Sequence, residues 1–183
     1  KVYTRILFTE AKKRYCGLLP DGCLDIVGLE VMRGDWAAVA KDVQETVLGI
    51  LLRERSPEKA AGFVQHYISN LLERRVPYRD LIIWKTLTKP VEEYAVRAAH
   101  VEAAKMLMKQ RWDLTLGDKV GYVITIGEGK LYEKARPYTL ASYDEIDLNY
   151  YIENQILPAA LRILEQFGTI KENLLPPKVG GSK

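Results

Sequence analysis

The chain is poor in the residues that most often carry catalysis, metals or a membrane address. Cys16 and Cys23 are its only cysteines in 183 residues. They form no C-x-x-C pair and read as buried or half-exposed thiols of a reducing compartment. His66 and His100 are its only histidines. Neither has a Cys, His, Asp or Glu partner at ligand spacing, so both read as packing or surface residues. No stretch approaches the roughly twenty apolar residues of a membrane span, and nothing resembles a signal peptide, which points to a soluble intracellular protein. An excess of one charge is missing too, with 27 Lys+Arg against 24 Asp+Glu. A surface for a polyanion would therefore have to come from local clustering of cations. There is no internal repeat, no nucleophile elbow, and no arguable Cys/His or Ser/His pairing. Gly127-Glu128-Gly129-Lys130 fails as a phosphate loop, because Ile124 stands at the first glycine position and Leu131 at the hydroxyl position; it reads as a hairpin turn.

What is present is a globular pattern. Apolar residues make up 48% of the chain, enough for a core in one domain or a small domain with an appendage. Val2 to Thr9, Lys13 to Leu19 and Leu24 to Val31 are rich in β-branched and aromatic residues, and Pro20-Asp21-Gly22 between the last two is a turn signal. Antiparallel strands are predicted there. Asp35 stands as an N-cap before Trp36, Val39, Ala40, Val43, Val47, Ile50 and Leu51, whose spacing makes one apolar helical face. Ser56-Pro57-Glu58 starts a second helix, which should pack on the first as an antiparallel pair. Leu81 to Leu87 reads as extended, and Thr86 to Pro90 leads into a short turn or helix ending near Tyr94. Ala98 to Gln110 is helical, and Lys119 to Ile126 is a strand. Asp147 to Phe167 is a long helix with a kink expected at Pro158 and a stop at Gly168. Asp144, Glu145 and Asp147 are the one acidic cluster, better explained as helix caps than as a Mg²⁺ site.

Cations gather with aromatics in three places: Lys12, Lys13, Arg14 and Tyr15; Arg33 with Trp36; and Lys85, Thr86, Thr88 and Lys89 beside Trp84. In an extended segment Lys13 and Tyr15 would share a face while Lys12 and Arg14 point the other way. A cation beside an amphipathic ring suits a duplex minor groove, where acceptors recur at every base pair. Thr hydroxyls and loop amides suit phosphate. A solvated basic strand edge, with Trp36 and Trp84 anchoring the core, fits the same residues.

The order of the motifs separates these readings. Lys12-Lys13-Arg14-Tyr15-x-Gly17, Asp25 to Val31, Arg33-x-Asp35-Trp36, Ile83 with Leu87-Thr88-Lys89-Pro90 and Tyr94, His100-Val101 with Ala103-Ala104, Gly117 to Ile124, and Tyr150 to Ala159 with Arg162-Ile163-Leu164 resemble, in sequence order, the C-terminal part of archaeal family B DNA polymerases. The resemblance runs from about Phe8 to Leu175. It implies an α+β fold, with short antiparallel palm strands over 1–34 and a largely helical thumb domain with a small strand element over 35–175. A disordered tail is expected over 176–183 from its Pro/Gly/Lys composition. The resemblance also implies that Lys13 and Tyr15 lie along the minor groove near the primer terminus, and that Arg33 and the Thr88-Lys89 tip lie near the nucleic-acid backbone. Two positions depart from the family: Gly34 stands where a second arginine is usual, which puts one backbone contact in doubt, and Ala99 replaces the proline usual before the histidine.

The family's metal-binding carboxylates and nucleotide-binding helix would lie upstream of Lys1. No catalytic residue, metal site or cofactor is therefore expected in this chain, and Mg²⁺ is expected in the complete polymerase. The implied partners are primer-template duplex DNA and the remaining polymerase portion, either the rest of a cut protein or the large polypeptide of a split polymerase. A sliding clamp is a further family partner, though no glutamine-anchored docking segment is visible after Leu175. The expected location is cytoplasmic, at the nucleoid, and the chain alone is expected to be inactive. The competing class is a stand-alone nucleic-acid-binding or protein-interaction module; an independent small-molecule enzyme is a distant third.

Overall fold

Three short strands open the chain as an antiparallel meander, in a computed structural model that describes residues 1–29 and 34–178. They are β1 (Arg5–Phe8), β2 (Tyr15–Leu18) and β3 (Leu24–Val27). Phe8 pairs with Tyr15, and Tyr15 in turn with Val27. The side chains alternate as a half-buried sheet requires: Cys16 points into the core, whereas Ile6 and Phe8 face outward. At the Pro20-Asp21-Gly22 turn, Gly22 adopts φ +85° and the Asp21 carboxylate accepts the Cys23 N–H at 2.9 Å, as its turn chemistry predicts.

Helix α1 (Ala38–Glu54) packs its buried face, including Val39, Val43, Val47 and Leu51, on the sheet and on α2 (Pro57–Leu72). Only Arg55 and Ser56 separate the two helices, Ser56 Oγ accepting the Lys59 N–H at 3.1 Å as the predicted cap. Asp35, by contrast, does not cap α1. The helix begins after Ala37, whose buried N–H donates at 2.9 Å to Oε1 of Gln155, a residue far along the chain. At the other end Arg5 Nη1 donates to the Leu52 and Arg53 carbonyls at 2.6 and 3.0 Å, and Arg53 Nη2 to Gly22 O at 2.8 Å. A guanidinium at the negative end of the helix dipole thus fastens the sheet to α1.

A second antiparallel sheet runs β4 (Ile83–Thr86), β5 (Lys119–Ile124) and β6 (Ala135–Pro137). The predicted turn at Gly127-Glu128-Gly129 is present, with Gly129 at φ +99°, but it leads into a one-turn helix α4 (Leu131–Lys134) before β6. Helix α3 (Ala99–Lys109) packs on this sheet.

The long helix expected from Asp147 to Phe167 is interrupted just ahead of Pro158. It runs as α5 (Leu148–Tyr151), a π-helical turn over Ile152–Ile156, α6 (Leu157–Leu164) and a 3₁₀ turn over Glu165–Phe167, ending at Gly168 with φ +81°. The wider turn precedes Pro158, which lacks an N–H and cannot sit inside a regular α ladder; Leu157 donates to Ile152 O in the i→i−5 pattern. A last short helix, α7 (Lys171–Leu174), packs on α2 and α6. One apolar cluster joins Cys16 and Leu29 to the helices and to the second sheet. Among the described residues no helix is long and apolar enough to cross a membrane.

Candidate nucleic-acid interface

The basic run lies at the tip of the β1–β2 hairpin, at the end of the sheet away from the anchored Gly22 turn. Thr9 N–H and Thr9 Oγ1 both donate to Arg14 O, at 3.1 and 3.3 Å, and close the tip. Lys12 and Lys13 are exposed there, while Arg14 and Tyr15 are half-buried. The expected alternation of Lys13 with Tyr15 along a strand does not hold, because Lys13 sits in the turn with a left-handed φ of +60° and β2 starts only at Tyr15. The tip therefore presents its lysines by turn geometry rather than by strand pleating. Tyr15 is wedged between Tyr3 and Phe8, ring centroids 6.1 and 5.9 Å away. The Tyr3 hydroxyl donates to Asp25 at 2.5 Å, a bond that raises the Tyr3 pKa and, with Lys1, lowers that of Asp25.

Gly28 supports the tip from below, and its role was missed in the sequence. It has φ +70°, and a Cβ placed on it would lie 2.2 Å from the Lys13 carbonyl oxygen. The chain leaving β3 can pass under Lys13 only where no side chain exists. An isolated glycine inside the predicted Leu24 to Val31 strand, a mark of close backbone approach, was the available signal.

The second cluster is committed to internal contacts more than its sequence implies. Lys85 Nζ pairs with Asp35 Oδ2 at 2.9 Å, which accounts for the carboxylate that does not cap α1. The Thr88 N–H, expected to be open to phosphate, donates to the Tyr94 hydroxyl at 2.9 Å, and Thr88 Oγ1 lies 3.3 Å from the same oxygen. Lys89 Nζ stands 4.9 Å over the Tyr94 ring. These contacts fold the loop around one phenol, whose pKa is lowered chiefly by the Thr88 hydroxyl. Thr86 remains exposed at the end of β4. Trp84 does not anchor the core: it is an exposed residue lying against Tyr138, centroids 5.4 Å apart. Arg33 lies outside the described residues.

The acidic cluster serves as caps. Ser142 Oγ is 2.7 Å from carboxylate oxygens of both Asp144 and Glu145, and Asp147 accepts the Tyr150 N–H at 3.1 Å and pairs with Lys134. These side chains do not converge as a magnesium site, and no group of three or more His, Cys, Asp or Glu does so among the described residues. The thiols differ: Cys23 is exposed, whereas burial pushes the Cys16 thiol up to about 12.

Comparison with known proteins gives one consistent result. The sequence model of DNA polymerase family B matches residues 1–167. DNA polymerase 2 of Aeropyrum pernix is 47% identical over 174 residues, covering 95% of this chain and 22% of that polymerase. The DNA polymerase of Methanocaldococcus jannaschii is 44% identical over 163 residues, covering 89% of this chain and 10% of that protein. The solved family B DNA polymerase of Pyrobaculum calidifontis superposes with a TM-score of 0.78 at 41% identity, over 99% of this chain and 22% of that one. The chain spans less than a quarter of the length of each of these relatives.

Proposed function

Because the chain belongs to DNA polymerase family B, we propose that it forms the end of the palm and the thumb of such a polymerase and grips primer-template duplex DNA. On this reading residues 1–34 end the palm, and 35–175 are the thumb. The catalytic carboxylates and their Mg²⁺ belong to the upstream portion or to a partner polypeptide. The observation that carries the proposal is the hairpin tip. Lys12 and Lys13 are exposed, without an ion-pair partner among the described residues, on a turn held by Gly28 and beside the aromatic row Tyr3, Tyr15 and Phe8. Two ammonium groups on such a turn contact phosphates and groove acceptors without reading sequence. The Thr88-Lys89 loop contributes Lys89, and Thr86 a hydroxyl; Lys85 contributes less, since its charge is already paired.

The reading is tested by mixing the chain with the complementary polymerase portion. Primer extension should appear in the mixture and in neither component alone; no gain at a 1:1 ratio defeats the assignment and favours a stand-alone binding module. Lys13→Ala should weaken duplex binding about equally for all sequences and reduce the slope of log K against log[salt] by about one. Losses confined to particular sequences in a filter or anisotropy titration would rule out groove-and-backbone contact.

A further inference from the structure

Two glutamines are buried where α1 lies along the π turn and α6. Gln44, on α1, is 2% exposed, and Gln155, in the π turn, 3%. Each makes one short bond across the joint. Gln155 Oε1 accepts the Ala37 N–H at 2.9 Å, and Gln44 Nε2 donates to Ala159 O at 2.9 Å. Burying a primary amide is costly unless both its poles are bonded, and Gln44 Oε1 has no partner among the described residues. Methionine would fill the same space without that cost, so packing does not account for these residues. Pro158 explains the wide turn but not the glutamine within it. What the two amides add is direction. Apolar contacts let helices slide and rotate, whereas two bonds of fixed length, about two turns apart on α1, set both register and rotation.

Each side of this joint is bonded onward to one of the cationic clusters. Arg5 and Arg53 fasten the first sheet, with its hairpin tip, to the carboxyl end of α1. The Tyr151 hydroxyl, one turn before Gln155, bridges Leu81 O and the Ile124 N–H, and so holds the second sheet, whose β4 leads into the Thr86 to Lys89 loop. The Asp35–Lys85 pair spans the same gap, but both side chains are more than a third exposed, and such a pair contributes little. The buried amides therefore dominate the connection between hairpin tip and loop.

We propose that Gln155, together with Gln44, is a positioning residue for the duplex grip: it fixes the span between the hairpin tip and the Thr86 to Lys89 loop, so that both engage one duplex at once. The inference rests on the duplex reading given above. A fixed span keeps the effective concentration of the second contact high once the first has formed; a loosened joint leaves binding to the tip alone.

Gln155→Met keeps side-chain length and packing while removing the bond. In the chain without DNA, exchange of the Ala37 amide should quicken by about tenfold. In salt titrations with duplex DNA, Lys89→Ala should reduce the slope of log K against log[salt] by about one in the otherwise unchanged chain, and should leave it unchanged beside Gln155→Met. Gln44→Met also discards an unpartnered oxygen, so it should fold, and it carries the same comparison if Gln155→Met does not. Ile163→Val loosens the packing of α6 without removing a hydrogen bond, and Lys89→Ala should keep its full effect beside it. That contrast separates positioning from stability. An effect of Lys89→Ala that is equal in every background, or an Ala37 amide that exchanges no faster in Gln155→Met, overturns the inference alone. An unmodified chain that binds no duplex defeats the function proposed above, and this inference with it.

Discussion

Gly28→Ala should destabilise the chain by about 2–4 kcal/mol, lowering its melting temperature by roughly 10 °C, and should weaken duplex binding at the same time. Two effects add. The left-handed φ of +70° costs an L-residue about 1–2 kcal/mol, and the new methyl would stand 2.2 Å from the Lys13 carbonyl oxygen, a backbone atom that cannot rotate away. The hairpin tip must lift, carrying Lys12 and Lys13 from their places. Gly22→Ala is the matched control, since Gly22 has φ +85° but nothing within 4 Å of its would-be Cβ. It should pay only the conformational cost. Urea denaturation of both variants decides the matter: equal losses would mean that the contact beneath Lys13 does not support the tip.

Tyr151→Phe should be comparably severe, at about 2–4 kcal/mol, although it removes a single oxygen. Tyr151 is fully buried; its hydroxyl donates to Leu81 O at 2.7 Å and accepts the Ile124 N–H at 3.2 Å. Phenylalanine leaves a carbonyl and an amide of two different segments without partners in a dry interior. Tyr150→Phe is the comparison, because its hydroxyl is only half-buried and accepts a 3.4 Å bond from Gln155. It should cost under about 1 kcal/mol. Burial also raises the Tyr151 pKa, so the folded state keeps a proton that the unfolded chain releases above the usual tyrosine value of about 10. This contribution is present in full below that pH and is lost as the pH rises, at about 1.4 kcal/mol per pH unit for the one group. The Phe variant should show a shallower alkaline fall. An unchanged alkaline slope would argue that Tyr151 is not sealed from water.

Much of the fold was legible because it depends on neighbours in sequence. The meander, the Ser56 cap, the strand at Lys119 and the stop at Gly168 rest on side-chain alternation, local capping and glycine at positive φ. Errors arose where a residue had a choice of distant partners. Asp35 has the chemistry of a cap, yet it pairs with Lys85 while Gln155 supplies the acceptor for α1. The Pro158 position was legible as a disturbance of the helix, but its form, a π turn over Ile152–Ile156 ahead of the proline, was not. Strand β6 was not read at all: Ala135–Pro137 has too few residues for a period and exists because β5 offers it an edge.

The sequence by itself determined the family, through an ordered series of motifs, and where the cations and aromatics occur along the chain. Only the tertiary structure decided which of those groups are available. It turned Lys13 outward through a left-handed turn over Gly28, and it neutralised Lys85 with Asp35. It also wrapped Thr88 and Lys89 around Tyr94. The reason is physical. Backbone periodicity and capping act over a few residues and can be read from the order of side chains, whereas the partner of a charge or a buried hydroxyl is whatever the folded chain brings within about 3 Å.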